Sequence, residues 1–133
     1  MYLIRPWLYV GRYRDTLDAA HLRLHDVGAM LQLAEAVEHP GVLSLYLPVE
    51  DGEALRPEFL RRGVDFVLEH RRSGQVVLIA CGAGRSRSVA YAVASLKEDH
   101  VATNWGDREL ARSWKRVASR IRQAAHAAGQ ERL

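Results

Sequence analysis

Residues 81–87 bring together the groups needed to bind and attack a phosphate ester. Cys81 supplies a thiol whose ionised form is a strong nucleophile. Six residues on, Arg87 supplies a planar fork that binds two oxygens of a phosphoryl group. Gly82 and Gly84 allow tight turns and let the backbone approach a ligand closely. The segment therefore favours transfer of a phosphoryl group to a thiolate, with donors around the equatorial oxygens.

A buried strand before this segment and a helix after it are predicted to position these groups. Residues 75–80 are almost wholly apolar, as in a strand covered on both faces. The stretch from Ser88 to Asp99 begins apolar on most sides, which predicts a buried central helix. Backbone N–H groups and the helix dipole then favour an anion at the helix start. A cysteine that begins the loop lies in that field, which favours the thiolate.

Short apolar runs alternate with amphipathic segments along the rest of the chain, which is typical of an α/β domain. We expect one domain over residues 1–133, with a central, mainly parallel sheet of four or five strands and helices on both faces. The site is expected at the carboxyl end of the strand that ends at Ala80. Strands are predicted over 8–10, 29–33, 42–49 and 75–80, and helices from near Asp15, Pro57, Ser88 and Asp107. Asp15 is expected to cap a helix with Leu17, Ala20, His21 and Leu24 on one face.

Composition excludes several other classes of protein. The 133 residues are 48% hydrophobic and 26% charged, which suits a globular domain with a real core. No apolar stretch approaches the roughly 20 residues of a transmembrane helix. The N-terminus has no signal-peptide pattern and the single cysteine excludes an internal disulfide, so a cytoplasmic location is expected. A charge of +3 is too small to indicate nucleic-acid binding, and nothing indicates an oligomeric state.

The motif resembles the signature of the cysteine-dependent protein tyrosine phosphatases, and more narrowly of their dual-specificity branch. The resemblance rests on Cys81, the five residues before Arg87, Gly84 in third place and Ser88 after the arginine. Residues 4–11 are similar to the opening strand of dual-specificity domains. Residues 47–51 are similar to the loop that carries the general acid of the branch. Low-molecular-weight phosphatases share the cysteine–arginine spacing, but the order of acid and cysteine here excludes them.

The resemblance implies a role for each matching residue and no metal or organic cofactor. Cys81 attacks phosphorus and forms a phosphocysteine. Asp51 protonates the leaving oxygen and then accepts a proton from the attacking water; Glu50 and Glu53 are alternative acids. Ser88 donates a hydrogen bond to the cysteine sulfur and makes it a better leaving group. The residues expected to hold the phosphoryl group are Gly82, Ala83, Gly84, Arg85, Ser86 and Arg87.

One position departs from the family pattern, because Ala80 stands where a histidine usually precedes the cysteine. A lower rate is expected, with activity retained because the loop, the helix and Arg87 act directly on the sulfur. The short chain predicts a shallow pocket that admits phosphoserine, phosphothreonine and phosphotyrosine. Two alternatives stay open: a lipid or small-molecule phosphatase of the same fold, and a phosphate-binding pseudoenzyme. Residues 83–88 also resemble the loop of the mitochondrial phosphatase that acts on phosphatidylglycerophosphate.

Other patterns carry weaker implications. His21 and His25 can share a helix face, but no third metal ligand is near in sequence, which favours a packing or surface role. Arg85 either contacts a second anionic group of the substrate or is a plain surface residue. A four-residue repeat of arginines on the last predicted helix is typical of a solvated face, with a docking stripe as the alternative. These arginines are Arg108, Arg112, Arg116 and Arg120.

Overall fold

The structure, a computed structural model, describes residues 1–49, 55–82 and 87–102, with side chains through His100. Within these ranges the chain forms five strands and four helices. The strands are β1 (Tyr2–Arg5), β2 (Leu8–Arg12), β3 (Val27–Gln32), β4 (Leu43–Tyr46) and β5 (Val76–Cys81). The helices are α1 (Tyr13–Thr16), α2 (Ala19–Leu24), α3 (Pro57–Arg72) and α4 (Arg87–Ala102).

The strands form one sheet in the order β1-β2-β5-β3-β4. Only β1 runs antiparallel to its neighbour, whereas β2, β5, β3 and β4 pair in parallel. The strand β5 is central, between β2 and β3, which accounts for its nearly continuous apolar sequence. The predicted mainly parallel α/β sheet is confirmed.

Helices cover both faces of the sheet, as expected, but with unequal cores. On one face, which we call the α3/α4 face, strand residues pack against buried residues of the two long helices. On the other, the α1/α2 face, the buried cluster is much smaller. The α3/α4 face includes Val10, Leu31, Ile79, Cys81, Val64 and Tyr91. The α1/α2 face includes Leu22, Val27, Met30, Leu78 and Ala80.

The N-terminal segment is a hairpin rather than the single opening strand suggested by residues 4–11. The strand β1 pairs with β2 from Tyr2 opposite Val10 to Arg5 opposite Leu8, and the chain turns at Pro6 and Trp7. Proline lacks the N–H that a strand ladder requires, so the strand breaks there. The turn also places Trp7 under the guanidinium of Arg71, 4.5 Å from the ring centroid.

The first helical region also differs from the prediction. It divides into α1 and α2, and the residue that caps α2 is Asp18, whose Oδ1 accepts a hydrogen bond from the amide of His21 at 3.0 Å. Asp15 lies inside α1 instead and accepts from the amide of Arg12 at 2.8 Å. The break changes the phase of the helix, so Leu22 is buried while Leu24 is 75% exposed. The predicted apolar face is therefore wrong.

The later elements agree more closely with the sequence. The helix α3 begins at Pro57 as predicted, β5 extends one residue past Ala80 to Cys81, and α4 begins at Arg87. The strand β4 is shorter than the expected 42–49, but Leu47 and Val49 still donate backbone hydrogen bonds to the end of β3. The helix expected from Asp107 lies outside the described residues.

Candidate active site at the carboxyl end of the sheet

Cys81 is the last residue of the central strand. Its side chain is buried, and its backbone lies at the carboxyl edge of the sheet between β2 and the end of β3. In parallel sheets with helices on both faces, ligands bind at this edge. The sequence predicted the site at this edge.

Ser88, near the start of α4, is in contact with the cysteine. The Sγ of Cys81 and the Oγ of Ser88 are 3.3 Å apart, and both side chains are buried. Val89 and Tyr91 on the same helix pack in the core that contains Cys81, which fixes the position of the helix start. A hydroxyl at this distance can donate a hydrogen bond to a thiolate.

The guanidinium of Arg87 is folded back over the start of the loop. Its Nη1 donates to the backbone carbonyl of Val49. A Cβ atom added at Gly82 would lie 2.9 Å from its Nη2, so this glycine leaves the space that the guanidinium occupies. Arg87 therefore contacts the chain that leads toward residues 50–54 and lies beside the backbone that follows Cys81.

The segment that ends at Val49 is itself anchored to the sheet. The amide of Val49 donates to the carbonyl of Leu33 at 3.0 Å, and the amide of Leu47 to that of Gln32 at 2.9 Å. The side chains of Leu47 and Val49 are both buried in the α3/α4 face. The chain therefore enters the predicted general-acid loop from a fixed point beside Arg87.

Several predicted site residues lie outside the described part of the chain, and their roles stay predictions. These are the candidate acids and the middle of the phosphate-binding loop: Glu50, Asp51, Glu53, Ala83, Gly84, Arg85 and Ser86. The arginine repeat from Arg108 to Arg120 lies outside it as well. Of the predicted set, the structure brings together Cys81, Gly82, Arg87 and Ser88.

Sequence reasoning missed a group of polar contacts beneath the site. The side-chain amide of buried Gln32, the last residue of β3, accepts from the amide of Val37 at 2.5 Å and donates to its carbonyl at 2.7 Å. The Nε2 of His39 lies 2.6 Å from the carbonyl of Thr16 in α1. The sequence did contain a signal for these contacts, because a polar residue ends the apolar run of β3 and a buried amide needs hydrogen-bond partners.

The contact between His39 and Thr16 crosses the end of β5, because α1 follows β2 and residues 33–41 follow β3 on the opposite side. Tyr13 in α1 makes a second crossing. Its hydroxyl donates a hydrogen bond to the carboxylate of Glu35, which raises the pKa of the phenol because only the neutral form can donate. We call the set of Gln32, Val37, His39, Thr16 and the Tyr13–Glu35 pair the polar brace. The brace joins α1 to the segment that follows β3, beside the end of β5.

The structure also bears on the weaker sequence patterns. The rings of His21 and His25 pack edge to face with centroids 4.4 Å apart, and Nδ1 of His25 lies 3.3 Å from the Tyr9 hydroxyl. The described residues contain no group of three or more histidine, cysteine, aspartate or glutamate side chains placed to hold a metal ion. Nor does any helix in these ranges have the length and apolar character to cross a membrane.

Comparison with known proteins extends the resemblance beyond the motif. A scan against protein-family models finds no match. The chain is 34% identical over 102 residues to mouse dual specificity protein phosphatase 12, covering 68% of this chain and 29% of that protein. It is 39% identical over 62 residues to rat phosphatidylglycerophosphatase and protein-tyrosine phosphatase 1, covering 47% and 31%. The chain thus spans less than a third of either relative.

Solved structures agree on the fold. Human DUSP28 superposes with a TM-score of 0.70 at 21% identity, over 96% of this chain and 99% of that one. Three features of this chain agree with that fold. They are the aligned length, the sheet order with β5 at its centre, and the position of Cys81 at the end of β5. The chain belongs to the cysteine-dependent protein tyrosine phosphatase superfamily, and within it to the dual-specificity-like branch.

Proposed function

We propose that this protein hydrolyses phosphomonoesters through a phosphocysteine on Cys81, as a dual-specificity phosphatase of phosphotyrosine and of phosphoserine or phosphothreonine. The contact between the Sγ of Cys81 and the Oγ of Ser88, at the start of a helix, is the observation that carries the proposal. It supplies a nucleophile beside a hydroxyl, with the guanidinium of Arg87 next to the same loop. A cytoplasmic location stays a prediction.

In the first step the thiolate of Cys81 attacks phosphorus. The S–P bond forms as the P–O bond to the leaving group breaks, and Asp51 gives its proton to the departing oxygen. Arg87 and the loop amides bind the equatorial oxygens, where negative charge is held in the transition state.

In the second step water attacks the phosphorus of the phosphocysteine. Asp51, now a carboxylate, accepts a proton from the water as the S–P bond breaks, and inorganic phosphate leaves. The electron pair returns to sulfur, so the thiolate is regenerated. Ser88 supports this step because a hydrogen bond to the sulfur stabilises the departing thiolate.

Arg87 links substrate binding to the acid loop in this scheme. Its Nη1 is already held by the Val49 carbonyl, two residues before Asp51. A guanidinium has five N–H donors, so it can keep this bond and still offer a fork to a phosphoryl group.

A lipid substrate is the second candidate. It is favoured by the similarity to rat phosphatidylglycerophosphatase and protein-tyrosine phosphatase 1, although that similarity spans 47% of this chain. Wild-type turnover should therefore be measured on phosphotyrosine and phosphoserine peptides, phosphatidylglycerophosphate and phosphoinositides. Faster turnover of a lipid than of any peptide would replace the protein-phosphatase proposal. Phosphate binding without turnover of any substrate would establish a pseudoenzyme.

Replacement of the nucleophile tests the covalent mechanism. Cys81→Ser should abolish turnover yet retain binding of inorganic phosphate, because the arginine and the loop amides remain. Ser44→Ala, at an exposed position of the edge strand β4, is the control and should keep full activity. Turnover retained by Cys81→Ser would show that the phosphocysteine route is wrong.

Replacement of the acid tests Asp51. Asp51→Asn should slow hydrolysis most for alkyl phosphates, whose leaving groups need protonation, and least for nitrophenyl phosphate. Glu50→Gln and Glu53→Gln are the matched controls and should leave this dependence unchanged. If either glutamate variant shows it and Asp51→Asn does not, the acid is that glutamate.

A further inference from the structure

Arg12 lies directly beside the catalytic cysteine, although it is 69 residues away in sequence. The strands β2 and β5 are parallel neighbours, and Arg12 is the register partner of Cys81. Neighbouring strands are about 4.8 Å apart, and side chains at paired positions point to the same side of a sheet. Arg12 therefore extends from the backbone position next to the nucleophile.

The alternation of side chains along β2 confirms which face Arg12 occupies. Leu8 and Val10 are buried in the α3/α4 face, the face that contains Cys81. A Cβ atom at Gly11 would instead point toward Leu78, on the α1/α2 face. Arg12 follows Gly11 with extended backbone angles, φ −111° and ψ 164°, so it returns to the face of the thiol.

The backbone of Arg12 is fixed and its charge is partly withdrawn from water. Its amide donates to the carboxylate of Asp15 at 2.8 Å. The residue is half-buried, and its Nη2 is shielded from solvent. A cation held in such a place interacts with a neighbouring charge more strongly than an exposed one, because water screens it less.

We propose that Arg12, in addition to Arg87, is a cation of the site and stabilises the thiolate of Cys81. The inference rests on the proposed function, since it assigns a role in the same reaction. Arg12 acts through the sulfur rather than on the substrate, and is thus a positioning residue. It supplies a positive charge in a chain where Ala80 replaces the histidine that usually precedes the cysteine.

Other charged or titratable groups surround the end of β5 in the described part of the chain. Arg87 and Tyr91 belong to α4, the former beside the loop and the latter buried in the core with Cys81. Tyr13 and Asp15 belong to α1, and the Asp15 carboxylate lies over Gly11 on the opposite face. The Asp15 Oδ2 also lies 3.3 Å from the N-terminal ammonium of Met1, so its negative charge is paired and acts little on the thiol.

The test is the pH dependence of alkylation of Cys81 by iodoacetamide, measured on the free enzyme. The chain has one cysteine, so the reaction reports the thiolate of this residue alone. Arg12→Gln should move the midpoint of the profile up by about one pH unit, as loss of an adjacent opposite charge does. Arg12→Lys, which keeps the charge, should restore the midpoint. Arg14→Gln, an exposed arginine two residues on, is the matched control and should leave it unmoved.

The outcomes separate this inference from the function on which it rests. An Arg12→Gln profile with the wild-type midpoint overturns the role of Arg12, even if Cys81→Ser abolishes turnover. A purely structural role would lower the rate at every pH without moving the midpoint, and also contradicts the inference. Turnover retained by Cys81→Ser would instead overturn the proposed function, whatever the alkylation shows.

Discussion

The two faces of the sheet are held together in different ways. On the α3/α4 face, buried side chains of the three strands β2, β3 and β5 pack against two long helices. On the α1/α2 face, two short helices contribute a single fully buried leucine, Leu22, and much of the order comes from polar contacts. The polar brace and the Asp18 cap belong to this side.

The last two residues of β5 lie on opposite faces and show this difference. Cys81 faces the apolar core, where close packing fixes its position relative to Ser88. Ala80 faces the other side, in the smaller buried cluster with Leu22 and Met30. Packing thus sets the position of the Cys81 side chain, while hydrogen bonds hold residues 33–39 beside the end of β5. Substitutions on the two faces should therefore destabilise the protein by different mechanisms: overpacking on the α3/α4 face and loss of hydrogen bonds on the α1/α2 face.

The largest effect is expected from Gly63→Ala in α3. A Cβ atom there would lie 2.3 Å from Cε1 of Tyr91 in α4, a distance at which the helices must separate. Overpacking of this kind costs about 1–3 kcal/mol, and we expect the upper part of that range because Tyr91 is fully buried. Urea denaturation measures the loss in free energy of unfolding.

Gly28→Ala is the matched control for this substitution. The nearest atoms to its added Cβ are those of the Gln75 side chain at 3.4 Å, an ordinary contact with a chain that can move. The free energy of unfolding should change by less than about 0.5 kcal/mol. Equal losses in the two variants would show that close packing between α3 and α4 is not what distinguishes the faces.

A smaller effect is expected from Gln32→Leu, which removes the polar brace at its centre. Leucine is similar in size to glutamine but cannot bond to the N–H and C=O of Val37. Unsatisfied groups of this kind cost about 1–3 kcal/mol, at the lower end where water can reach them. Loss of activity at unchanged substrate affinity should accompany the loss in stability, because the loop beside the site loosens.

Tyr46→Phe is the control that separates the effect of losing the polar brace from the effect of losing any hydrogen bond. The Tyr46 hydroxyl donates to the carbonyl of Ala34 at 3.3 Å, in the same loop but exposed to solvent. Its removal should cost a few tenths of a kcal/mol and leave kcat unchanged. A Gln32→Leu variant as stable and active as Tyr46→Phe would contradict a supporting role for the brace.

The same contrast explains how much of the fold the sequence predicted. The strand β5 and the helices α3 and α4 belong to the apolar face, and their patterns are local: a continuous apolar run, Pro57 at a helix start, and an apolar helix. The strand β1 was missed because Tyr2 and Leu3 are exposed, so its pairing with β2 leaves no pattern in its own residues.

The α1/α2 face was predicted less well because polar residues determine where its helices begin, and the sequence offers more than one of them. Asp15 and Asp18 are both good caps, and only the break between the two short helices selects Asp18. Within the candidate site, Cys81, Arg87 and Ser88 could be grouped from the sequence because they form one local motif. Arg12 was missed because only the register of β2 against β5 makes it a neighbour of the cysteine.

The smallest effect tests a polar group within the apolar face. His100, near the end of α4, is 4% exposed. Burial lowers the pKa of its imidazole, the nearby charge of Arg5 lowers it further, and Asp99 opposes the shift. The unfolded state therefore binds a proton more readily than the folded state. Stability from this group is present above about pH 6.5, the ordinary value for histidine, and is lost as the pH falls through the lower folded value.

His100→Gln should accordingly flatten the acid limb of the stability curve. The free energy of unfolding, measured in urea from pH 8 to pH 5, should fall less steeply in the variant than in the wild type. The comparison of slopes matters because the substitution also changes packing, which shifts both ends of the curve equally. If the two slopes coincide, the buried imidazole does not titrate differently on folding. The α3/α4 face would then tolerate a protonated His100, although its close packing implies that buried charges are excluded from it.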